Sequence, residues 1–332
     1  MRPGGARSRP PSTARNPTVT VRGSRVLSVH DTLPVRLPHG LPVPDALVRR
    51  SGGELCAVYE LRYDDAPPLI AKIYADAWRW KQAKEVHVYG LIAEQGITSV
   101  PEVMHVDVEQ GCTVLRLIPG VPMSELAGAL TDTEIATAYA RIGEFLAALH
   151  RIEQDGYGYL TTRVLDPFSS NRAYMTRQLR LVLSEYVDLG GDAVLRDAMA
   201  DVVLSNTRVW SGCTGARLCH NDLHEGNVLL DRGNDGWLVT GFIDIENAVA
   251  ADPLLDLAKT DCYSVREDAA KLSALLAGYG PLPDGWRRRF DLYRLYHTLE
   301  LWTWYASTGR REPLPGLTDD LRRTTAMVSD NH

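Results

Sequence analysis

The sequence predicts an α+β fold in two lobes, a small antiparallel sheet with one helix followed by a larger and mainly helical lobe. Three observations support this prediction. Short apolar runs separated by turn residues fill the region before residue 118, one segment of helical periodicity interrupts them, and helical patterns dominate after Pro119-Gly120-Val121-Pro122. We therefore predict an N-terminal lobe at residues 31–118 and a C-terminal lobe at residues 119–332.

Strands of the first lobe are predicted at residues 47–50, 55–62, 69–74, 103–108 and 112–118, and its helix at residues 80–95. Ser51-Gly52-Gly53-Glu54 is the turn of the first hairpin, and Gly96 is a plausible end of the helix. Consecutive strands joined by short turns pair antiparallel, so these elements predict one mostly antiparallel sheet.

The second lobe begins with a capping box, in which Thr131 is followed three residues later by Glu134, and its first helix runs to about Arg151. Residues 170–210 have the pattern of two further helices, and we expect helices throughout 155–210. Residues 218–244 are typical of strand, loop and strand, and residues 253–306 of several helices with Gly and Pro breaks.

Composition excludes several classes of protein. The chain has 332 residues, 45% of them hydrophobic, which is enough for a sizeable core. Its net charge of −6 lacks the basic surplus of nucleic-acid binders, and no apolar run has the length of a membrane span. The five cysteines are scattered, which indicates a reducing cytoplasm. We expect no nucleic acid, membrane or obligatory protein partner.

The first 30 residues differ from the rest of the chain. They contain six arginines and several prolines, with no acid before Asp31, and we predict that residues 1–30 form a disordered arm. This stretch resembles a transit peptide, and a start codon placed upstream of the true one explains it equally well.

The stretch from Leu218 to Leu230 places eight mostly polar residues between two apolar runs. Its spacing is that of the kinase catalytic loop H-R-D-x-x-x-x-N, with Asn221 in place of the arginine. Phosphoryl transfer requires a group that accepts the proton of the attacking hydroxyl, and we assign this role to Asp222. We expect His220 to brace the loop and the amide oxygen of Asn227 to bind Mg²⁺.

A second acid follows on the next strand. Gly241-Phe242-Ile243-Asp244-Ile245-Glu246 places a carboxylate at the end of an apolar run, as in the kinase D-F-G motif. We predict Asp244 as the main Mg²⁺ ligand.

With these motifs the chain resembles the aminoglycoside phosphotransferase family, which includes choline-kinase-like enzymes, over about residues 47–306. Such enzymes carry His-x-Asp with an asparagine five residues after the aspartate, then Ile-Asp-x-Glu, then Asp-Pro-x-x-Asp-Leu-Ala. The last motif is here Asp252 to Ala258. The resemblance implies a protein-kinase-like two-lobed fold, with ATP or GTP as phosphate donor.

The first lobe offers residues for the nucleotide. Lys72, in Ile70-Ala71-Lys72-Ile73, occupies the position of the V-A-I-K lysine that contacts the α- and β-phosphates, and Glu85 is its expected ion-pair partner. Two alternatives stay open, an edge-strand role for Lys72 and pairing of Glu85 with Lys81.

Other nucleotide contacts are predicted from position alone. Gly52 and Gly53 are placed to cover the phosphates, although a Gly-Gly pair is also an ordinary turn. Arg116 and Ile118, where the lobes join, are placed to contact the adenine.

The acceptor is expected to be a small molecule with a hydroxyl group, because only seven residues separate Asp244 from Asp252 and leave no room for a long activation segment. Glu225 matches the position at which an aminoglycoside-modifying relative carries an acid that contacts its substrate. Glu246 and Glu300 are further candidates, although aromatic neighbours at helical spacing favour a core position for Glu300.

We predict an antibiotic O-phosphotransferase acting in resistance or self-protection, or else a metabolic kinase for choline, an amino alcohol or a sugar. A nucleotide-binding pseudoenzyme is the alternative from another class. A zinc hydrolase that uses His220, Asp222 and His224 would leave Asn227 and Asp244 unexplained.

Overall fold

The computed structural model describes residues 25–27, 37, 40–50, 56–213 and 215–330. The first lobe contains six strands in the order β1-β2-β3-β4-β6-β5, every pair antiparallel. They are β1 Arg25–Leu27, β2 Ala46–Arg50, β3 Cys56–Arg62, β4 Leu69–Tyr74, β5 Val103–Asp107 and β6 Cys112–Arg116.

The helix of this lobe, α1 Arg79–Glu94, stands between β4 and β5 in the chain, where the sequence predicts it. The predicted strands agree with the observed ones to within two residues at each end. Of residues 1–30 the structure describes Arg25–Leu27, which pair antiparallel with β2, and the prediction for the arm as a whole stays a prediction.

The remaining helices form the larger lobe. They are α2 Asp132–Leu149, α3 Asn171–Asp188, α4 Ala193–Ser205, α5 Pro253–Thr260, α6 Ala269–Tyr279, α7 Trp286–Ser307 and α8 Leu314–Asp330. The predicted capping box is present, since the Thr131 side chain accepts from the Glu134 N–H while the Glu134 carboxylate accepts from the Thr131 N–H. In the part of the chain that the structure describes, none of these helices is long and apolar enough to cross a membrane.

Two small antiparallel sheets frame the loops of this lobe. Their strands are β7 Val121–Pro122, β8 Glu153–Gln154, β9 Tyr157–Leu160, β10 Val164–Phe168, β11 Ala216–Cys219, β12 Val228–Gly233, β13 Gly236–Phe242 and β14 Val249–Ala251. The orders are β10-β9-β14-β11-β8 and β13-β12-β7. The expectation of helix throughout residues 155–210 is therefore wrong for β9 and β10.

The main hydrophobic core lies in the larger lobe. Helices α2 and α6 cross there at two glycines: a Cβ atom built on Gly278 would lie 1.9 Å from the carbonyl oxygen of Ala140, and one on Gly143 would lie 2.1 Å from that of Leu275. On the other side of α2, the Phe145 ring stacks on Phe242 with centroids 4.0 Å apart. This contact holds the end of β13, immediately before Asp244, against the core.

Candidate active site

The loop between β11 and β12 is held by a buried carboxylate beneath it. Asp256 on α5 accepts hydrogen bonds from the backbone N–H groups of His220, at 2.6 Å, and Asn221, at 2.8 Å. Its Oδ2 also lies 3.1 Å from His150 Nε2. Asn221 has φ of +59°, a left-handed conformation that asparagine tolerates better than most residues. The Asp-Pro-x-x-Asp motif thus shapes the backbone of the predicted catalytic loop.

His220 braces the loop from inside. Its side chain is buried, and Nε2 donates to the carbonyl oxygen of Ile243, 3.2 Å away. Burial is the main influence on the ring, and it lowers the pKa of His220. The neutral ring therefore joins the predicted catalytic loop to the strand end that carries Asp244.

Asp222 lies in the same loop, two residues after His220, and is 4% exposed. Its Oδ2 accepts a hydrogen bond from Asn247 Nδ2 at 3.1 Å, and its backbone oxygen accepts one from Asn227 Nδ2 at 2.9 Å. Because the Asn227 amide uses its nitrogen for this bond, its oxygen is the atom that can bind a cation.

Asp244 adopts a left-handed conformation at φ +67° and ψ +55°, and its side chain is 38% exposed. The residue before it is tied to the predicted catalytic loop, since the Ile243 N–H donates to the Asn227 carbonyl oxygen at 3.0 Å. A carboxylate and an amide oxygen are hard ligands of the kind that Mg²⁺ prefers, so the donor set of Asp244 and Asn227 fits that ion.

The zinc alternative finds no support in the geometry. Among the described residues, the one group of three His, Cys, Asp or Glu side chains close enough to hold an ion is His150, Cys219 and Asp256, all buried. His220 instead contacts a backbone carbonyl, and Nδ1 of His224 accepts from the Gly226 N–H at 3.0 Å.

Lys72 projects from β4 and forms a buried ion pair with Glu85 of α1, at 2.6 Å. Tyr74 donates a further hydrogen bond to the same carboxylate. Burial alone lowers the pKa of Lys72, but the charge of Glu85 outweighs it and holds that pKa well above its ordinary value. Strand β4 lies between β3 and β6, so the edge-strand alternative for Lys72 is wrong.

Lys81 does not pair with Glu85, the other alternative. Its ammonium group lies 2.8 Å from Glu246 Oε1 and 3.2 Å from Asn247 Oδ1. Lys72 Nζ in turn lies 3.5 Å from Asp244 Oδ1 and 4.0 Å from Glu246 Oε2. Lys72 and Lys81 of the first lobe thus lie beside Asp244 and Glu246 of the second.

Sequence reasoning offered Lys81 only as an alternative partner of Glu85 and assigned no role to Asn247. The signal for Lys81 was present, because only five of the 36 cationic residues are lysine and each stands out for that reason. No comparable signal marks Asn247.

The acids predicted near the acceptor already have partners within the chain. Glu225 Oε1 accepts from Tyr139 at 2.7 Å and lies 2.9 Å from Lys271 Nζ. Glu300 contacts Tyr296 and His297, and its side chain is 22% exposed beside Lys259. The carboxylate of Glu300 therefore belongs to a polar cluster rather than to the aromatic core on the same helix.

The remaining nucleotide contacts stay predictions. Gly52 and Gly53 lie outside the described residues. The side chain of Arg116 is exposed and pairs with Glu102 at 2.7 Å, while Ile118 packs against the backbone of β13 at Gly241.

The model of a phosphotransferase enzyme family matches residues 46–291. No curated protein matches the chain closely enough to count as a relative.

Similar solved structures include aminoglycoside phosphotransferase APH(4)-Ia, a thermostable mutant in its apo form. It has a TM-score of 0.62 and 16% identity, over 85% of this chain and 94% of that one. A protein of Thermobifida fusca assigned as a fructosamine-3-kinase has a TM-score of 0.61 and 20% identity, over 84% and 93%. A complex of APH(2")-IIa with streptomycin and ATP has a TM-score of 0.60 and 19% identity, over 85% and 92%.

The structural likenesses confirm the predicted two-lobed fold, and the family match covers well over half of the chain. The chain therefore belongs to the phosphotransferase enzyme family and is a phosphotransferase that acts on hydroxyl groups of small molecules.

Proposed function

We propose that the protein transfers the γ-phosphate of ATP to a hydroxyl group of an aminoglycoside-like antibiotic, as a cytoplasmic enzyme of resistance or self-protection. The observation that supports this proposal most is the convergence of the two lobes, in which Lys72 Nζ lies 3.5 Å from Asp244 Oδ1. A phosphate-binding lysine and a metal-binding aspartate must face the same space in this reaction. The five cysteines are all free, which suits a reducing compartment.

In this proposal residues 31–118 form the nucleotide-binding lobe and residues 119–332 the catalytic and acceptor-binding lobe. Lys72 contacts the α- and β-phosphates, and Glu85 holds the lysine in place. Gly52 and Gly53 cover the phosphates, and the backbone near Arg116 and Ile118 contacts the base.

Asp222 accepts the proton of the attacking hydroxyl, while His220 keeps the loop in register with the strand that ends at Asp244. Asn227 and Asp244 hold Mg²⁺, which when bound neutralises charge on the phosphates. Phosphoryl transfer requires little covalent chemistry from the protein. Most of the rate enhancement therefore comes from the alignment and charge stabilisation that these side chains provide.

The acceptor approaches from the side of Glu225, where an acid suits an amine-bearing molecule. Lys271 already neutralises that acid at 2.9 Å, so a cationic acceptor must either displace the lysine or share the carboxylate with it.

The test is a mass change. The protein is incubated with ATP, Mg²⁺ and a panel that includes hygromycin B, streptomycin and kanamycin beside choline, amino alcohols and sugars. Transfer adds about 80 Da to the acceptor. Modification of antibiotics supports the proposal, and modification of metabolites alone refutes the resistance role.

A metabolic small-molecule kinase is the second candidate, because one of the similar structures is assigned as a fructosamine-3-kinase. The same panel separates the two candidates. Replacement of ATP by GTP in parallel reactions identifies the donor.

A further inference from the structure

Asn247 contacts the catalytic loop through both its side chain and its backbone. Its Nδ2 lies 3.1 Å from Asp222 Oδ2, and its carbonyl oxygen accepts from Asn221 Nδ2 at 3.2 Å. The residue follows Asp244 by three positions, in the short turn Ile245–Asn247. One side chain thus joins the end of the metal-binding strand to the carboxylate assigned as the base.

Lys81 decides which way the Asn247 amide points. The ammonium group lies 3.2 Å from Asn247 Oδ1, on the side away from Asp222. An ammonium group only donates hydrogen bonds and a carboxylate only accepts them. A rotated amide would place its NH₂ against the ammonium and its oxygen against the carboxylate, and both contacts would be lost. Lys81 and Asp222 therefore permit a single orientation.

Helix α1 connects this contact to the nucleotide side. Lys81 and Glu85 are four residues apart and so lie on the same face of the helix. Glu85 holds Lys72 at 2.6 Å, and Glu246 bridges the two lysines at 2.8 Å and 4.0 Å. All of these side chains are buried. A shift of α1 would consequently move Lys72 and the support of Asp222 together.

We propose that Asn247 is a positioning residue for the Asp222 carboxylate, that Lys81 orients it, and that helix α1 thereby aligns the base and the phosphate-binding lysine as one unit. The proposal rests on the proposed function, since Asp222 needs alignment only if it accepts a proton from an acceptor. It adds two residues, Lys81 and Asn247, to the set that determines the rate.

The kinetic test compares four single variants and one double variant of the full-length chain with the wild type, measured as ADP release with the acceptor that the mass-change assay identifies. Asn247→Ala removes the side-chain contacts with Asp222 and Lys81 and keeps the backbone carbonyl oxygen that accepts from Asn221. Asn247→Asp keeps the size of the side chain and the oxygen that faces Lys81, but removes the donor. Lys81→Met removes the orienting charge. Lys84→Met is the matched control, because Lys84 is also buried on α1 but has no hydrogen-bond partner in the described structure.

We expect kcat to fall about 100-fold in Asn247→Ala and in Asn247→Asp, the loss typical of a misplacement near 1 Å. KM for ATP should stay within about threefold of wild type, because Lys72 keeps Glu85. Lys81→Met should lose about tenfold in kcat, and the Lys81→Met/Asn247→Ala double variant should be no slower than Asn247→Ala within about threefold. Lys84→Met should keep wild-type kcat within about twofold.

Three kinetic results would overturn the proposal: wild-type kcat in Asn247→Ala, wild-type kcat in Asn247→Asp, or equal losses in Lys81→Met and Lys84→Met. If Lys81→Met does not fold, the kcat values of the two Asn247 variants test the positioning role of Asn247.

A second measurement does not depend on turnover. In protein labelled with ¹⁵N at asparagine, the side-chain NH₂ of Asn247 should exchange with solvent about tenfold more slowly in the wild type than in Lys81→Met or Asp222→Ala. Equal exchange rates would refute the orientation by Lys81 even if no acceptor is ever modified. Absence of any phosphate transfer together with protected Asn247 protons would instead refute the proposed function and leave the contact established.

Discussion

Replacement of Lys84 by methionine should stabilise the protein. Lys84 on α1 is fully buried, its ammonium group lies 4.4 Å from the centre of the Tyr159 ring, and its Nζ has no hydrogen-bond partner among the described residues. Burial, reinforced by the nearby charge of Lys81, lowers the pKa of Lys84 from 10.5 to about 7. A methionine of similar length keeps the apolar contacts and removes the amine.

The magnitude follows from the linkage between protonation and folding. A shift from 10.5 to about 7 spans about 3.5 pKa units. At ~1.4 kcal/mol per unit the full cost is at most about 5 kcal/mol, of which about 4 kcal/mol applies at pH 7, where about half of the folded chains have released the proton. Loss of the contact with the Tyr159 ring offsets about 1 to 2 kcal/mol of this gain. We therefore expect Lys84→Met to raise the free energy of unfolding by about 2 kcal/mol at pH 7, and Tm by about 4 °C.

The pH dependence gives the sharper test. Between pH 7 and 10.5 the unfolded chain keeps a proton on Lys84 that the folded chain has released. The wild type therefore gains stability from this group as the pH rises through that window, while the variant does not. The advantage of Lys84→Met should be full below pH 7 and should shrink towards pH 10.5.

Urea unfolding at pH 7, 8.5 and 10 measures the difference in the free energy of unfolding between variant and wild type. Groups that titrate equally in both proteins do not contribute to this difference. Lys81→Met is the contrasting control on the same helix, because it removes one partner of a buried ion pair and should cost about 3 kcal/mol. A destabilised Lys84→Met at pH 7, or an advantage that does not change with pH, would refute the view that Lys84 is buried and neutral.

Three further predictions concern catalysis and packing. Asp222→Asn should lower kcat at least about 1,000-fold with ATP binding retained in calorimetry, and survival of most activity would exclude Asp222 as the base. Glu85→Gln should lower kcat/KM for ATP about 10- to 100-fold, mainly through KM, because Lys72 loses its partner at 2.6 Å; an unchanged KM would contradict the assigned role of Lys72. Gly278→Ala should cost about 2 kcal/mol or more in thermal unfolding, since its Cβ would lie 1.9 Å from a backbone oxygen. Gly90→Ala, which meets nothing within 4 Å on α1, should instead be neutral or stabilising, and equal effects of the two would refute the tight crossing.

Features that depend on neighbouring residues were predictable from the sequence. The capping box at Thr131, strand β4 around Lys72, and the loop from His220 to Asn227 each carry their signal within about ten residues. The ion-pair partner of Lys81 on α1 could not be predicted from the local sequence. Local spacing offered Lys81 to Glu85, whereas the fold brings Lys81 to Glu246, 165 positions away in the chain.

Other features lacked a local signal of any kind. Strands β9 and β10 have only four and five residues, and the second contains Asp166 at φ +44° followed by a proline, so no alternation marks them. Helix α8 is the exception, because its buried residues Leu314, Leu321 and Val328 recur at helical spacing, a local signal that the prediction missed. The role of Asn247 depends on contacts from three separate segments, which a single sequence does not reveal.

The left-handed backbone at Asn221 bears on how this loop can change over evolution. Protein kinases have arginine at the equivalent position of the motif, but here the chain must turn at φ +59° so that Asp256 can accept two successive N–H groups. Glycine or aspartate would satisfy that turn, whereas valine or isoleucine would strain it. Position 221 is thus constrained by backbone conformation more than by side-chain chemistry. Substitutions there should follow backbone preference even though the neighbouring Asp222 is the proposed base.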